Sequence, residues 1–78
     1  MSKTLSQDVH FFAAALSGAL ISVWEEDPAG VYIEAERGYI ERYTPDFVRI
    51  RNADTGTRTS YSRDTTMFER MVEHEKDR

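Results

Sequence analysis

The sequence predicts an α+β domain: a small, strongly bent antiparallel sheet or barrel of about five strands, with one helix at each end. Three observations carry this. The apolar period is close to 3.6 before Gly18 and close to 2 after it. Turn-forming clusters punctuate the later part at residues 27–30, 44–46 and 52–56. Gly38 interrupts a strand pattern, as a glycine does where a sheet bulges or turns sharply.

Helix 1 is placed over residues 5–17. Thr4, with Gln7 three residues on, reads as a capping box. Leu5, Val9, Phe12, Leu16 and Leu20 recur at spacings of three and four along one face. Phe11 and Ala13 to Ala15 widen the apolar surface beyond that stripe. Gly18 is the expected left-handed residue that ends the helix.

The sheet is placed over residues 19–63. Ile21 and Val23 alternate with Ser22 and Trp24, which begins it. Asp27-Pro28-Ala29-Gly30 is a turn in which proline presets φ and glycine accepts a positive φ at the exit. Val31, Ile33 and Ala35 alternate with Tyr32, Glu34 and Glu36 as a half-buried strand. Tyr39–Tyr43 and Phe47–Arg51 flank Thr44-Pro45-Asp46 as a hairpin. If Tyr43 pairs with Phe47, Ile40 faces Ile50 and Glu41 faces Arg49, both sound neighbours. Arg42 then opposes Val48 on the inner face, an uncomfortable place for a charge. Asn52–Gly56 is a further turn, and Thr57–Ser62 a fifth strand with polar groups outward. Asp64 or Thr66 then caps a second helix over residues 65–75, with Met67, Phe68, Met71 and Val72 on one side and a fraying charged end from His74 to Arg78.

At 78 residues there is room for one domain, 1–78, with a limited core of its own. Forty per cent of the chain is apolar, too much for a disordered tail. The chain has no cysteine, so disulfides and thiolate metal sites are excluded and a reducing compartment fits. No apolar run reaches the ~20 residues of a membrane span, and the start lacks the charged front of a secretory signal. A cytoplasmic protein is the expectation.

The formal charge of −4 is unevenly spread. Residues 1–30 carry one positive and four negative charges, whereas residues 31–63 carry six arginines against five acids. An acidic chain is repelled by phosphate backbones unless its basic groups share a face, so nucleic-acid binding is disfavoured.

Few residues point to chemistry. His10 and His74 have no partner histidine at metal spacing and read as solvent-facing. No serine or threonine lies in a nucleophile elbow, and the four glycines are too scattered to cradle a phosphate. Glu25-Glu26-Asp27 could hold a hard cation, but calcium needs six or more oxygens in a defined loop, so a solvated hairpin tip is the better reading. No catalytic residue, metal or cofactor is assigned.

The sheet is richer. Arg49 and Arg51 share a strand face with Phe47, beside Tyr39 and Tyr43, while Tyr32 and Trp24 lie nearby in sequence. Guanidinium groups next to aromatic rings grip a protein partner or stack bases. The competing reading is an ordinary soluble exterior, with Glu34, Glu36 and Glu41 neutralising the arginines across strands.

The run Gly38-Tyr39-Ile40-Glu41-Arg42-Tyr43-Thr44-Pro45-Asp46-Phe47-Val48-Arg49-Ile50 resembles the central hairpin of Sm-like and SH3-like small β-barrels. It is similar in particular to short proteins of spore-forming bacteria, some spore-coat-associated, that carry a Gly-x-Leu-x-x-Val-x-Pro-Asp-His-Val-x-Ile segment. Leu16–Val23 resembles their Leu-x-Gly-x-x-Val-x-Val entry into the first strand. The resemblance covers about half of the chain and implies a fold. RNA-binding Sm proteins carry aspartate and asparagine where this chain has Thr44 and Val48, so no RNA site is carried over.

The expected function is a non-enzymatic protein–protein interaction module or structural subunit. Its contact residues are Trp24, Tyr32, Tyr39, Tyr43, Phe47, Arg49 and Arg51. Single-stranded nucleic-acid binding through the same face is the alternative, and an acidic inhibitor presenting Glu25, Glu26 and Asp27 is a third. The broad apolar face of helix 1 points to self-association, most simply a dimer.

Overall fold

The computed structural model describes residues 2–71, which form β1 (Ser2–Leu5), α1 (Asp8–Ser17), β2 (Ile21–Glu26), β3 (Tyr32–Tyr43), β4 (Phe47–Asn52), β5 (Arg58–Ser62) and β6 (Thr66–Met71). These strands make one sheet in the order β1-β6-β2-β3-β4-β5, with every neighbouring pair antiparallel. Among the described residues the sheet is open at β1 and β5, and it is strongly bent. Tyr61 on β5 and Phe68 on β6 have three strands between them in the sheet order, yet their ring centroids are 6.3 Å apart.

The concave face holds the core: Ile21 and Val23 from β2, Val48 and Ile50 from β4, Tyr61, Phe68 and Leu5. Alternation explains the choice, because inward residues recur every second position and those between them take the other face, where Ser22 is nevertheless buried. Phe11 of α1 closes this core. Its ring meets Phe68 edge-on at 5.6 Å and stacks near Tyr43 at 6.1 Å. Gly38 sits where β3 and β4 come closest. A Cβ there would clash with the Arg51 carbonyl oxygen and lie 2.7 Å from Ile50 Cγ2, so only glycine lets β4 approach this closely.

Several expectations hold. Gly18 takes the left-handed conformation (φ 66, ψ 34) and ends α1. Asp27 Oδ1 accepts from the backbone N–H groups of Ala29 and Val31, both at 2.9 Å, and Gly30 adopts φ 84 to complete that turn. Thr44-Pro45-Asp46 is the hairpin loop, closed by the Thr44 N–H donating to the Phe47 carbonyl.

Other expectations are corrected. The second helix is absent: Thr66–Met71 is strand β6, and residues 72–75 of the expected helix, His74 included, lie outside the described residues. Met67, Phe68 and Met71 do fall at helical spacing, but β6 sits between β1 and β2 and satisfies backbone groups that a helix would leave unpaired along β2. The helix at the start is shorter than residues 5–17, because Ser2–Leu5 pairs with β6 and Leu5 stands opposite Phe68. His10 is half-buried. Its Nδ1 accepts the Ser6 and Gln7 backbone N–H groups at 3.1 and 3.2 Å, ordering the chain ahead of the first turn of α1.

The helix also presents a different face to the sheet. Phe11 and Ala14 are buried, while Val9, Phe12 and Leu16 are 61, 55 and 77% exposed. Arg63 fixes this rotation. Its guanidinium lies 4.5 Å over the Phe11 ring and its Nη1 donates to Asp8 at 2.7 Å and to the Thr44 carbonyl at 2.7 Å.

Candidate functional site

The convex face of β3, β4 and β5 gathers four of the six arginines of the middle third, Arg42, Arg49, Arg51 and Arg58. On β4, Val48 and Ile50 point inward, so Phe47, Arg49 and Arg51 point outward. Register then sets their neighbours: Arg51 opposes Tyr39 on β3 and Arg58 on β5, Arg49 opposes Arg42 and Ser60, and Phe47 opposes Ser62.

Arg42 reaches this face through a bulge. Ile40 pairs with Ile50, as simple alternation requires, but Arg42 pairs with Arg49 and Tyr43 with Val48, leaving Glu41 as the extra residue. An unbulged strand would turn Arg42 into the core opposite Val48. The added residue rotates it out and swings Tyr43 in against Phe11. The cost of burying a guanidinium is avoided and the core gains a ring.

Glu41 is the hub of the cluster. Arg58 Nε donates to both of its oxygens, at 2.8 and 2.7 Å. Arg49 Nε lies 3.1 Å from Oε1 and Arg51 Nε 3.9 Å from Oε2. The hydrogen bond from Arg58 is the main cause holding the Glu41 carboxyl below the usual carboxylate range; burial opposes it, and the charges of Arg58, Arg49 and Arg51 add to it. Arg42, Arg49, Arg51 and Arg58 against Glu41 make a local charge of +3 on a chain of −4. Although Arg49 Nε is close to the carboxylate, it forms no well-directed hydrogen bond and is itself shielded from solvent.

The expected neutralisation across strands occurs only at Glu41. Glu34 pairs instead with Arg37, three residues along β3. Glu36 accepts from the Tyr61 hydroxyl and from Asn52 Nδ2, the latter at 2.8 Å. Burial, then the Glu36 hydrogen bond, then the charges of Glu36 and Glu25 push the Tyr61 phenol well above its ordinary range.

Of the seven residues the sequence nominates, Tyr39, Phe47, Arg49 and Arg51 share this face. The Arg51 guanidinium sits 5.4 Å over the Tyr39 ring, and Phe47 is 53% exposed. Tyr43 stands at the rim, half-buried against the core. Trp24 is elsewhere, on β2, where its indole N–H donates to Ser22 Oγ at 2.9 Å. Tyr32 begins β3 and borders a different cleft, with Leu5, Phe11 and Phe68.

Arg42, Glu41, Arg58 and Ser60 belong to the site and are not among those seven. Arg58 was legible in principle, because a turn over residues 52–56 sets it opposite Arg51; Arg42 needed the bulge. A cleft of about 370 Å³ opens here, lined by Arg42, Tyr43, Thr44, Phe47, Arg49 and Ser60. With two aromatic rings and two guanidinium groups in its lining, it suits an apolar side chain beside an anion.

Among the described residues no cluster of three or more histidine, aspartate or glutamate side chains is placed to hold a metal ion, and no helix is long and apolar enough to cross a membrane. No protein-family model, curated protein or solved structure matches the chain.

Proposed function

We propose that the chain is a non-enzymatic protein-interaction module or structural subunit of a reducing compartment such as the cytoplasm. It binds a protein partner through the convex face of β3, β4 and β5. The observation that carries the reading is the concentration of three arginines around one carboxylate, with Arg42 opposite Arg49, beside a cleft lined by Tyr43 and Phe47, on an otherwise acidic chain. Arginine and aromatic side chains in this arrangement supply the anchors on which interfaces depend. The bent sheet, whose strands β2 to β5 follow α1 directly, also supports a likeness in fold to Sm-like and SH3-like small barrels. Val48 is fully buried and the Thr44 hydroxyl is engaged by the Asp46 and Phe47 N–H groups, so nothing of an RNA site is taken from that likeness.

Affinity capture from native extract, with and without nuclease, tests the proposal. A defined protein captured by the wild type, resistant to nuclease and lost with R49A/R51A, supports it; capture unchanged by R49A/R51A overturns it. One observation favours a second reading, single-stranded nucleic acid: Arg51 over Tyr39 at one end of β4, with exposed Phe47 at the other end of the same face, offers rings on which bases can stack. Nucleic acid recovered on the column and lost on nuclease treatment would select it.

Self-association is proposed separately, through the α1 stripe of Val9, Phe12 and Leu16. Sedimentation at tens of micromolar tests it, with a dimer for the wild type and a monomer for F12S/L16S; a wild-type monomer contradicts it.

A further inference from the structure

We propose that the partner contributes an acidic extended segment that adds to the free edge of β5 as a further antiparallel strand, its carboxylates turned onto the arginine face. This rests on the reading of that face as the partner surface and specifies the chemistry of the partner.

The backbone of β5 is arranged to take a further strand. The Asn52 N–H donates to the Thr57 carbonyl and the Arg63 N–H to the Asp46 carbonyl, both at 2.8 Å. Hydrogen-bonded pairs alternate along an antiparallel ladder, so Thr57, Thr59, Tyr61 and Arg63 direct their backbone groups at β4. Arg58, Ser60 and Ser62 direct theirs away from it. Among the described residues no strand pairs with that side of β5, and Arg58, Thr59 and Ser60 are exposed. Three residues therefore offer N–H and C=O groups in strand geometry to an incoming chain.

The side chains set which strand fits. The same three residues project onto the convex face, Arg58 beside Arg51, Ser60 beside Arg49 and Ser62 beside Phe47. Strands in a sheet lie about 4.8 Å apart, so a carboxylate opposite Arg58 meets it directly. Opposite Ser60, the short serine leaves room for a glutamate and Arg49 to reach each other from strands about 10 Å apart. An apolar residue opposite Ser62 lies next to Phe47 and the cleft that Phe47 and Ser60 line. Antiparallel order then gives the segment an apolar residue first and acids two and four positions later. A basic strand is rejected by the local +3. A polyphosphate has no backbone N–H groups to match this edge, and the chain as a whole repels it.

The probe is the capped peptide Thr-Phe-Thr-Glu-Thr-Glu-Thr, followed by amide NMR and hydrogen exchange on the full chain. Binding is expected to protect the Arg58, Ser60 and Ser62 amides from exchange. Methylating the two glutamate backbone nitrogens, or replacing both glutamates by glutamine, is expected to weaken binding about tenfold or more. R58E is expected to do the same without unfolding, since the Arg58 side chain is 59% exposed. S60P removes an outward N–H and no ladder bond, and it too should abolish binding while the amide spectrum stays folded.

Binding indifferent to N-methylation, unprotected β5 amides, or an oligothymidylate that binds where the peptide does not would each overturn strand addition. If R49A/R51A abolishes capture of the native partner while the peptide leaves β5 unprotected, strand addition alone fails. If R49A/R51A leaves capture unchanged, the arginine face fails as the partner surface.

Discussion

Adjacent phenylalanines on α1 should behave in opposite ways. Phe11 is 1% exposed and touches Phe68 and Tyr43 at centroid distances of 5.6 and 6.1 Å, with the Arg63 guanidinium 4.5 Å over its ring. Truncating a fully buried phenylalanine costs about 3–5 kcal/mol. A domain of this size has a total stability of roughly 4–12 kcal/mol. At about 4–8 °C per kcal/mol for so small a domain, F11A should lower Tm by roughly 12–40 °C or leave the chain unfolded. Phe12 is 55% exposed, and F12A should stay within about 0.5 kcal/mol of wild type. The assay is thermal and urea unfolding over a range of protein concentrations, so that any contribution from self-association shows as a concentration dependence. If F12A were as damaging as F11A at the lowest concentration, α1 would be docked by its Val9-Phe12-Leu16 stripe and the packing described here would be wrong.

Three further outcomes are expected. G38A should destabilise by at least the 1–3 kcal/mol typical of overpacking, because the added Cβ meets the Arg51 backbone and cannot be relieved by a rotamer change; a Tm equal to wild type would refute the close approach of β3 and β4. The Tyr61 phenol is raised in the folded state, so the stability it contributes is fully present below its unfolded pKa of about 10 and is lost as pH rises toward the folded value. Wild-type Tm should therefore fall more steeply above about pH 10 than that of Y61F, and parallel profiles would contradict the buried Tyr61–Glu36 contact. The Glu41 carboxyl is lowered, so its organising effect is present above the ordinary carboxylate pKa and is lost as pH falls through the folded value. E41Q should leave the fold intact and speed association with an acidic peptide; a slower association would show that Glu41 orders the arginines more than it masks them.

Local chemistry made much of the fold legible. Gly18 ends α1, Asp27 and Gly30 shape their turn, and Thr44-Pro45-Asp46 closes the hairpin, because each acts within a few residues of itself. What depends on distant partners was not legible. Met67, Phe68 and Met71 fit a helix as well as a strand, and the need of β2 for a second neighbour decides for the strand. Phe11 and Phe12 have similar claims to the core, and Arg63, more than fifty residues away, selects Phe11. The site shows the same division. Arg49, Arg51 and Phe47 follow from alternation along one strand, whereas Arg42 follows from a bulge at Glu41 that changes the face of every residue after it. The discomfort of Arg42 opposite Val48 was the one signal of that bulge in the sequence.

A partner seated on the convex face of β3, β4 and β5 shields the backbone there, and hydrogen exchange on the chain with its captured partner bound reads that footprint. Protection over residues 39–42, 47–51 and 58–62, with α1 and the 27–30 turn unchanged, is the expected result. Protection confined to α1, or to the β2–β3 turn, with the arginine strands exchanging as in the free chain, would contradict it.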